Sequence, residues 1–259
     1  MMSGFEDLIQ SIRRFRVILF FAKSDTQARY KRSILGPFWL TLGTLIGVLG
    51  LGIVWSQILN INSSEFIPNL TIGLVCWQLI SNCLSESPGV FIKYASIIKN
   101  SPQPFSFYPA ILISRHVINF AHNFLVIVIV MFYYSIEVNI NTFLVIPALI
   151  IIFINLFFIS IIIAFIGTRY RDLEPTIGAF LPLLFFITPI LYKPSQVKVA
   201  SWVIDYNPFA YYVNIFRDFL LGKMPDASLL IGFGLITFVT IILGCFCLHF
   251  KRENIAFWL

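Results

Sequence analysis

Charged residues nearly vanish from this 259-residue chain for stretches long enough to cross a bilayer. Between Ile34 and Ile92 the only acidic or basic side chains are Glu65 and Glu86, and between His116 and Thr168 only Glu137. A hydrocarbon core ~30 Å thick takes about 20 apolar residues per helix. Several such runs in succession predict an all-α integral membrane protein. The chain is 58% hydrophobic and 12% charged, against about 25% charge in soluble domains, so a water-soluble fold could not hide its apolar surface.

Six transmembrane helices per protomer are predicted, over about residues 34–58, 67–92, 107–134, 143–166, 175–192 and 229–249. Basic residues set the orientation. Thirteen lie on one side: seven before the first span, then Lys93, Lys99, Arg169, Arg171, Lys251 and Arg252. Four lie on the other side: Lys193, Lys198, Arg217 and Lys223. Both termini are therefore expected in the cytoplasm. A net charge of +6 gathered at helix ends is a topology signal, and nucleic acid is not expected as a partner. The start, with Glu6 and Asp7 ahead of arginines and no short apolar core, does not read as a cleavable leader.

Residues 1–29 are expected to form an N-terminal amphipathic interfacial helix and linker, 30–252 the transmembrane domain, and 253–259 a cytoplasmic tail. Phe5, Leu8, Ile9, Ile12, Phe15 and Leu19 recur at helical spacing while Glu6, Asp7, Ser11, Arg13 and Arg14 fall elsewhere, the pattern of a helix lying in the membrane interface. Between spans 5 and 6, residues 193–228 carry an interrupted apolar pattern broken at Asn207-Pro208. They are read as re-entrant periplasmic helices, which must be covered by protein or water; a hairpin lying on the surface is the alternative.

Polar residues inside apolar runs are the next signal. Glu86 and Arg115 lie about 9 and 12 Å from the cytoplasmic ends of spans 2 and 3 at 1.5 Å per residue. They fit an intramembrane ion pair; otherwise Arg115 reaches the headgroups and Glu86 faces water. His116, His122 and His249 read as packing or interface histidines. Gly43, Gly47, Gly50 and Gly52 form a small-residue seam that permits close helix approach. Aromatic side chains crowd span 5 and its outer cap, including Phe185, Phe186, Tyr192, Trp202 and Tyr211. They fit either a lining that slides along sugar rings or an ordinary interfacial belt.

Catalytic signatures are missing. No Gly-x-x-x-x-Gly-Lys-Ser/Thr occurs, since the one Gly-Lys, Gly222-Lys223, is followed by Met. Cys76, Cys83, Cys245 and Cys247 sit in apolar runs without metal-ligand spacing, so no metal is expected. The spans hold too few acids for an ion-driven route. No catalytic residues are expected, and the energy for any transport must come from elsewhere.

Three motifs carry a resemblance. Arg29-Tyr30-Lys31-Arg32-Ser33-Ile34-Leu35-Gly36-Pro37-Phe38-Trp39 resembles the entry to the first span of ABC-2 type permeases of polysaccharide export. Thr168-Arg169-Tyr170-Arg171-Asp172-Leu173, followed by Phe186-Ile187-Thr188-Pro189-Ile190-Leu191-Tyr192, resembles that family's loop and fifth span. Asn207-Pro208-Phe209 and Phe216-Arg217 resemble its outer re-entrant segment. The likeness runs in order over nearly the whole chain. Gly43 and Thr44 stand where the family often has a proline.

The resemblance implies a bacterial inner-membrane permease, working as a homodimer with two copies of a separate ATP-binding subunit. That subunit would bind ATP and Mg, and this chain no cofactor. The implied cargo is an undecaprenyl-linked glycan, most often O-antigen, otherwise capsule, teichoic acid or another lipid or drug. A membrane-embedded glycan-modifying enzyme is a weaker alternative. Tyr94, Ile97, Lys99, Asn100 and Pro102 would couple to the ATPase. Arg29, Lys31, Arg32, Arg169 and Arg171 would meet the lipid pyrophosphate, unless the positive-inside rule alone explains them. Phe185, Phe186, Pro189, Tyr192, Trp202, Asn207, Pro208 and Tyr211 would line the channel and its outer gate.

Overall fold

The structure is a computed structural model in which residues 4–101, 103–192, 204–250 and 255–259 are described. Every element among them is helical. In chain order these are α1 (Gly4–Arg13), α2 (Phe15–Arg29), α3 (Phe38–Ile58), α4 (Ser63–Glu86), α5 (Val90–Lys93), α6 (Ala95–Asn100), α7 (Phe107–Tyr133), α8 (Val145–Arg169), α9 (Leu173–Ile187), α10 (Pro208–Leu220), α11 (Ala227–Phe250) and α12 (Ile255–Trp258). Five stretches are long and apolar enough to cross a membrane: α3, residues 63–100 containing α4, α7, residues 140–169 containing α8, and α11. The helix α9 is apolar but shorter.

Element ends follow local chemistry. Asn62 caps α4 by accepting from the Ser64 amide at 3.1 Å, and Asn207 caps α10 by accepting from the Phe209 amide at 3.0 Å, with Pro208 at the first helical position. The predicted second span, 67–92, falls within the stretch 63–100 but is not one regular α-helix. At Ser87-Pro88-Gly89 the α-helix tightens into a single 3₁₀ turn before α5, because Pro88 lacks an amide hydrogen and its ring crowds the preceding turn. The predicted fifth span, 175–192, stops short. Thr188 is extended, with ψ 134°, since a residue before proline is disfavoured in helix. The amphipathic helix predicted at the N-terminus is two helices, with a break at Arg14.

The centre of the bundle is α4, most of which is buried, whereas α3 and α11 bury less than a fifth of their apolar windows. On α3 only the stripe Thr44, Val48, Gly52 and Ser56 is buried. No residue of α9 is fully buried. Gly43, Gly47 and Gly50 face open space, and only Gly52 of the predicted seam packs closely, against Ile67. Polar side chains tie helices where apolar packing alone gives little net drive in lipid. Gln78 accepts from Thr44 and from Asn123, each at 2.9 Å, joining α3, α4 and α7. Asn155 donates to Thr237 at 2.9 Å and accepts from Thr240 at 2.6 Å, joining α8 and α11.

The ends of α1, α2, α11 and α12 meet the start of α7 and the end of α8, so both described termini sit at one end, with the 94–106 connection. This is called the basic end below. The turn ending α9 and the helix α10 form the opposite end.

Candidate functional site

The basic end is assembled around two carboxylates that the primary pattern leaves on a polar helix face. In α1 the buried residues are Gly4, Asp7 and Ser11, while Phe5 and Ile12 are exposed. The helix therefore meets the protein through its small and polar stripe and turns much of its apolar stripe outward. The Asp7 carboxylate accepts from the amides of Phe105 and Ser106 at 2.8 and 2.9 Å and from the Ser106 hydroxyl at 2.5 Å. It thus fastens α1 to the two residues that lead into α7, whose own start has no side-chain cap. Arg14 donates to Gln103 from the same helix pair.

Asp25 on α2 accepts from Lys93 and from the Tyr94 hydroxyl, the latter at 2.7 Å. Partial burial pushes this carboxyl up, but the Lys93 and Tyr94 hydrogen bonds outweigh it and hold the group below its ordinary value. Thus α1 and α2 grip the segment Lys93–Ser106 at three points. Of the predicted coupling residues, Tyr94 is buried in that grip, Ile97 is half-buried, and Lys99 and Asn100 are exposed. Pro102 lies outside the described residues.

We expect Asp7→Ala to loosen α1 from α7 without preventing membrane insertion. Hydrogen bonds to a charged group are worth about 1.5–3 kcal/mol, and each 1.4 kcal/mol multiplies an opening equilibrium about tenfold. Trypsin cleavage after Arg13 or Arg14 in detergent should accelerate about tenfold or more; unchanged cleavage would show that the carboxylate does not hold α1.

Glu86 joins three elements. It accepts from Arg29 at 3.0 Å and from Arg115, and the His116 Nε2 lies 3.7 Å away. The Arg115 side chain is only 7% exposed and that of Glu86 29%. The structure therefore brings Glu86 and Arg115 together at the last turn of α4. It also adds Arg29, a partner that sequence reasoning had assigned elsewhere. Of the basic residues predicted for a pyrophosphate, Arg29 is engaged with Glu86, and the Arg169 guanidinium lies 5.6 Å from the centroid of the Trp258 ring. Lys31, Arg32 and Arg171 are exposed.

The predicted gate residues converge at the opposite end. Tyr192 donates to the carbonyls of Phe186 and Ile187 at 3.1 and 2.9 Å, closing the end of α9 on itself. Asn207 donates to the Thr188 hydroxyl at 2.9 Å. Arg217 donates to the Pro189 carbonyl at 2.6 Å. The Tyr211 hydroxyl donates to the Asp205 carbonyl at 2.9 Å, and its ring covers Gly232. Phe185 packs beside Trp77, with centroids 6.0 Å apart, while Phe186 is exposed. Pro208 is exposed at the start of α10. Trp202 lies outside the described residues. The far end of α10 is pinned as well: Asn139 and Asn141 donate to the Gly222 carbonyl at 2.9 and 3.2 Å.

Arg217 lies at the end opposite the termini, on the side where the charge count puts it, but it is buried: 5% exposed and set against Gly73 of α4. Val213, Phe216 and Leu220 share its helical stripe and are all buried.

Three curated relatives match this chain, each described as an O-antigen export system permease protein RfbA. Two from Klebsiella pneumoniae are 28% identical over 80% of this chain and 81% of the relative, and 26% identical over 89% and 90%. One from Myxococcus xanthus is 21% identical over 96% and 98%. The model of the family described as ABC-2 type transporter matches residues 16–221, from α2 through α10, and this multi-pass membrane chain belongs to that family.

Proposed function

We propose that the chain is the permease subunit of an ATP-driven exporter that carries lipid-linked O-antigen polysaccharide from the cytoplasmic to the periplasmic side of the bacterial inner membrane. The observation that carries this reading is the end-to-end match to three O-antigen export permeases, each covering at least 80% of the chain. The excess of Lys and Arg at the basic end supports placing that end, with both termini, in the cytoplasm.

Two copies of the chain would face each other across α3 and α9. The open surface of Gly43, Gly47 and Gly50 and the shallow seating of α9 support this arrangement. The glycan path would run between the copies. In this scheme α9 is the sixth span: its 15 residues cover about 22 Å, and the extended turn at Thr188–Tyr192 and the re-entrant α10 complete the crossing.

ATP would be bound and hydrolysed on two copies of a separate subunit docked at Tyr94–Ser106. Exposed Lys99 and Asn100 would touch that subunit, and Asp7, Arg14 and Asp25 would hand its movement to α1 and α2. Closure of the ATPase would then shift α4 and α7 through Glu86, Arg115 and the turn at Pro88. Exposed Lys31, Arg32 and Arg171 would receive the pyrophosphate of an undecaprenyl-linked glycan at the inner leaflet.

Deletion of the gene tests the reading. Full-length lipid-linked polymer should accumulate on the cytoplasmic face, with none at the surface by fractionation and surface labelling. Normal surface polymer would overturn the cargo and move the assignment to another ABC-2 substrate.

A further inference from the structure

Two cavities meet on either side of Arg217 at the end opposite the termini. The larger, about 680 Å³, is lined by Asn69, Asn214, Arg217, Asp218, Lys223 and Asp226 among others. The smaller, about 130 Å³, shares Asn69 and Arg217 and adds Glu65 and Tyr192. The larger has the size of a small-molecule site, yet its wall is crowded with carboxylate, amide and cationic groups. Among the described residues no group of three His, Cys, Asp or Glu side chains is placed to hold a metal ion. The lining carries Asp205, Asp218 and Asp226 against Arg217 and Lys223, one carboxylate in excess, so an anionic ligand gains no net attraction.

Planar acceptors interleaved with donors match a different ligand. Neighbouring hydroxyls on a sugar ring each donate one hydrogen bond and accept another, and carboxylate, amide and ammonium groups complement them in turn. A second observation is independent of this pattern. The Arg217 Nε is buried and has no hydrogen-bond partner within the protein, although an Nη2 of the same guanidinium holds the Pro189 carbonyl at 2.6 Å. An unsatisfied buried donor is destabilising, and a small shift of the guanidinium toward the cavities that Arg217 lines would offer that donor to a hydroxyl oxygen.

We propose that this cavity binds an uncharged sugar unit of the polymer as it reaches the periplasmic face. The proposal rests on the glycan-export reading and adds to it a site and a preference: hydroxyl-rich neutral or lightly charged saccharides over uronate-rich or phosphorylated ones. Because Arg217 also holds the turn that ends α9, an occupied site and the position of that turn share one side chain.

The test uses the full chain with its ATP-binding subunit in lipid nanodiscs. The probes are the host's own polysaccharide, freed from lipid by mild acid, and a uronate oligosaccharide. Parent protein should bind the host polysaccharide with little loss at high salt. Asn214→Ala and Asp218→Asn should each weaken binding about tenfold, as expected when a hydroxyl-reading group is lost. Lys223→Ala, at an exposed lysine that folding does not need, should weaken it as well. Equal binding by parent and all three variants would overturn the site, as would absence of binding by parent protein from a strain whose deletion blocks export. Tighter binding of the uronate probe would overturn the neutral-sugar preference. Normal export in the deletion strain would instead remove the functional reading beneath it, so the two failures are distinguishable.

Discussion

Arg115→Met is expected to destabilise the folded protein by about 3 kcal/mol, the lower end of the range for removing one partner of a buried ion pair. The lower end applies because Glu86 stays partly exposed and keeps Arg29. SDS titration of the purified chain, followed by tryptophan fluorescence, measures it; a loss below about 1 kcal/mol would mean that water already satisfies Glu86. Reversing the pair sharpens the geometry. Glu86→Arg with Arg115→Glu restores the mutual attraction but sets the new arginine against Arg29. The double variant should therefore recover only part of the stability, and adding Arg29→Glu should recover more. Full recovery without the third change would show that Arg29 contributes nothing.

The second large effect is expected at Gly167, on the last turns of α8. A Cβ there would lie 2.6 to 2.7 Å from the Cα, Cβ and carbonyl oxygen of Pro88. These are atoms of the 3₁₀ turn that ends α4, where no rotamer change can make room. Nearby, the Ser87 and Ser160 hydroxyls share a hydrogen bond of 2.7 Å, so the two elements are fixed against each other. Helix propensity favours Ala over Gly by about 1 kcal/mol, whereas overpacking a close contact costs about 1–3 kcal/mol. Gly167→Ala should lower stability by up to about 2 kcal/mol on the same titration. Gly178→Ala on α9, whose Cβ would meet nothing within 4 Å, should be neutral or stabilising. If Gly167→Ala behaves like Gly178→Ala, the turn is looser than its contacts indicate.

Much of the fold is legible because lipid imposes a length and a composition on each helix. The runs that became α3, α7, α8 and α11 could hardly read otherwise. The ends of α4 and α9 are harder to read: Pro88 and Pro189 each stop a helix inside a predicted span, and hydropathy averaged over the span carries no record of that. The meeting of Glu86 and Arg115 followed from depth alone. The engagement of Arg29 with the same carboxylate did not, since a cation near a helix end is explained equally well by membrane topology. The sequence places Asp7 only off the apolar stripe of an amphipathic helix. Its true partners, the Phe105 and Ser106 amides, are about a hundred residues away, and no local pattern points to them. The side on which Arg217 lies is legible from charge counting, but its burial is not, since that count takes no account of the apolar stripe around it.

The inside-out seating of α1 reverses the usual rule of substitution. In a helix of a water-soluble protein, apolar positions tolerate little change and polar ones vary freely. Here Phe5 and Ile12 are exposed, so one bulky hydrophobe can substitute for another there without disturbing a packed neighbour. Gly4, Asp7 and Ser11 instead meet backbone and hydroxyls at fixed distances, and a Cβ at Gly4 would press on the Cys245 carbonyl and the His249 amide at 3.3 Å. The positions of this helix that tolerate least change are therefore its small and polar ones.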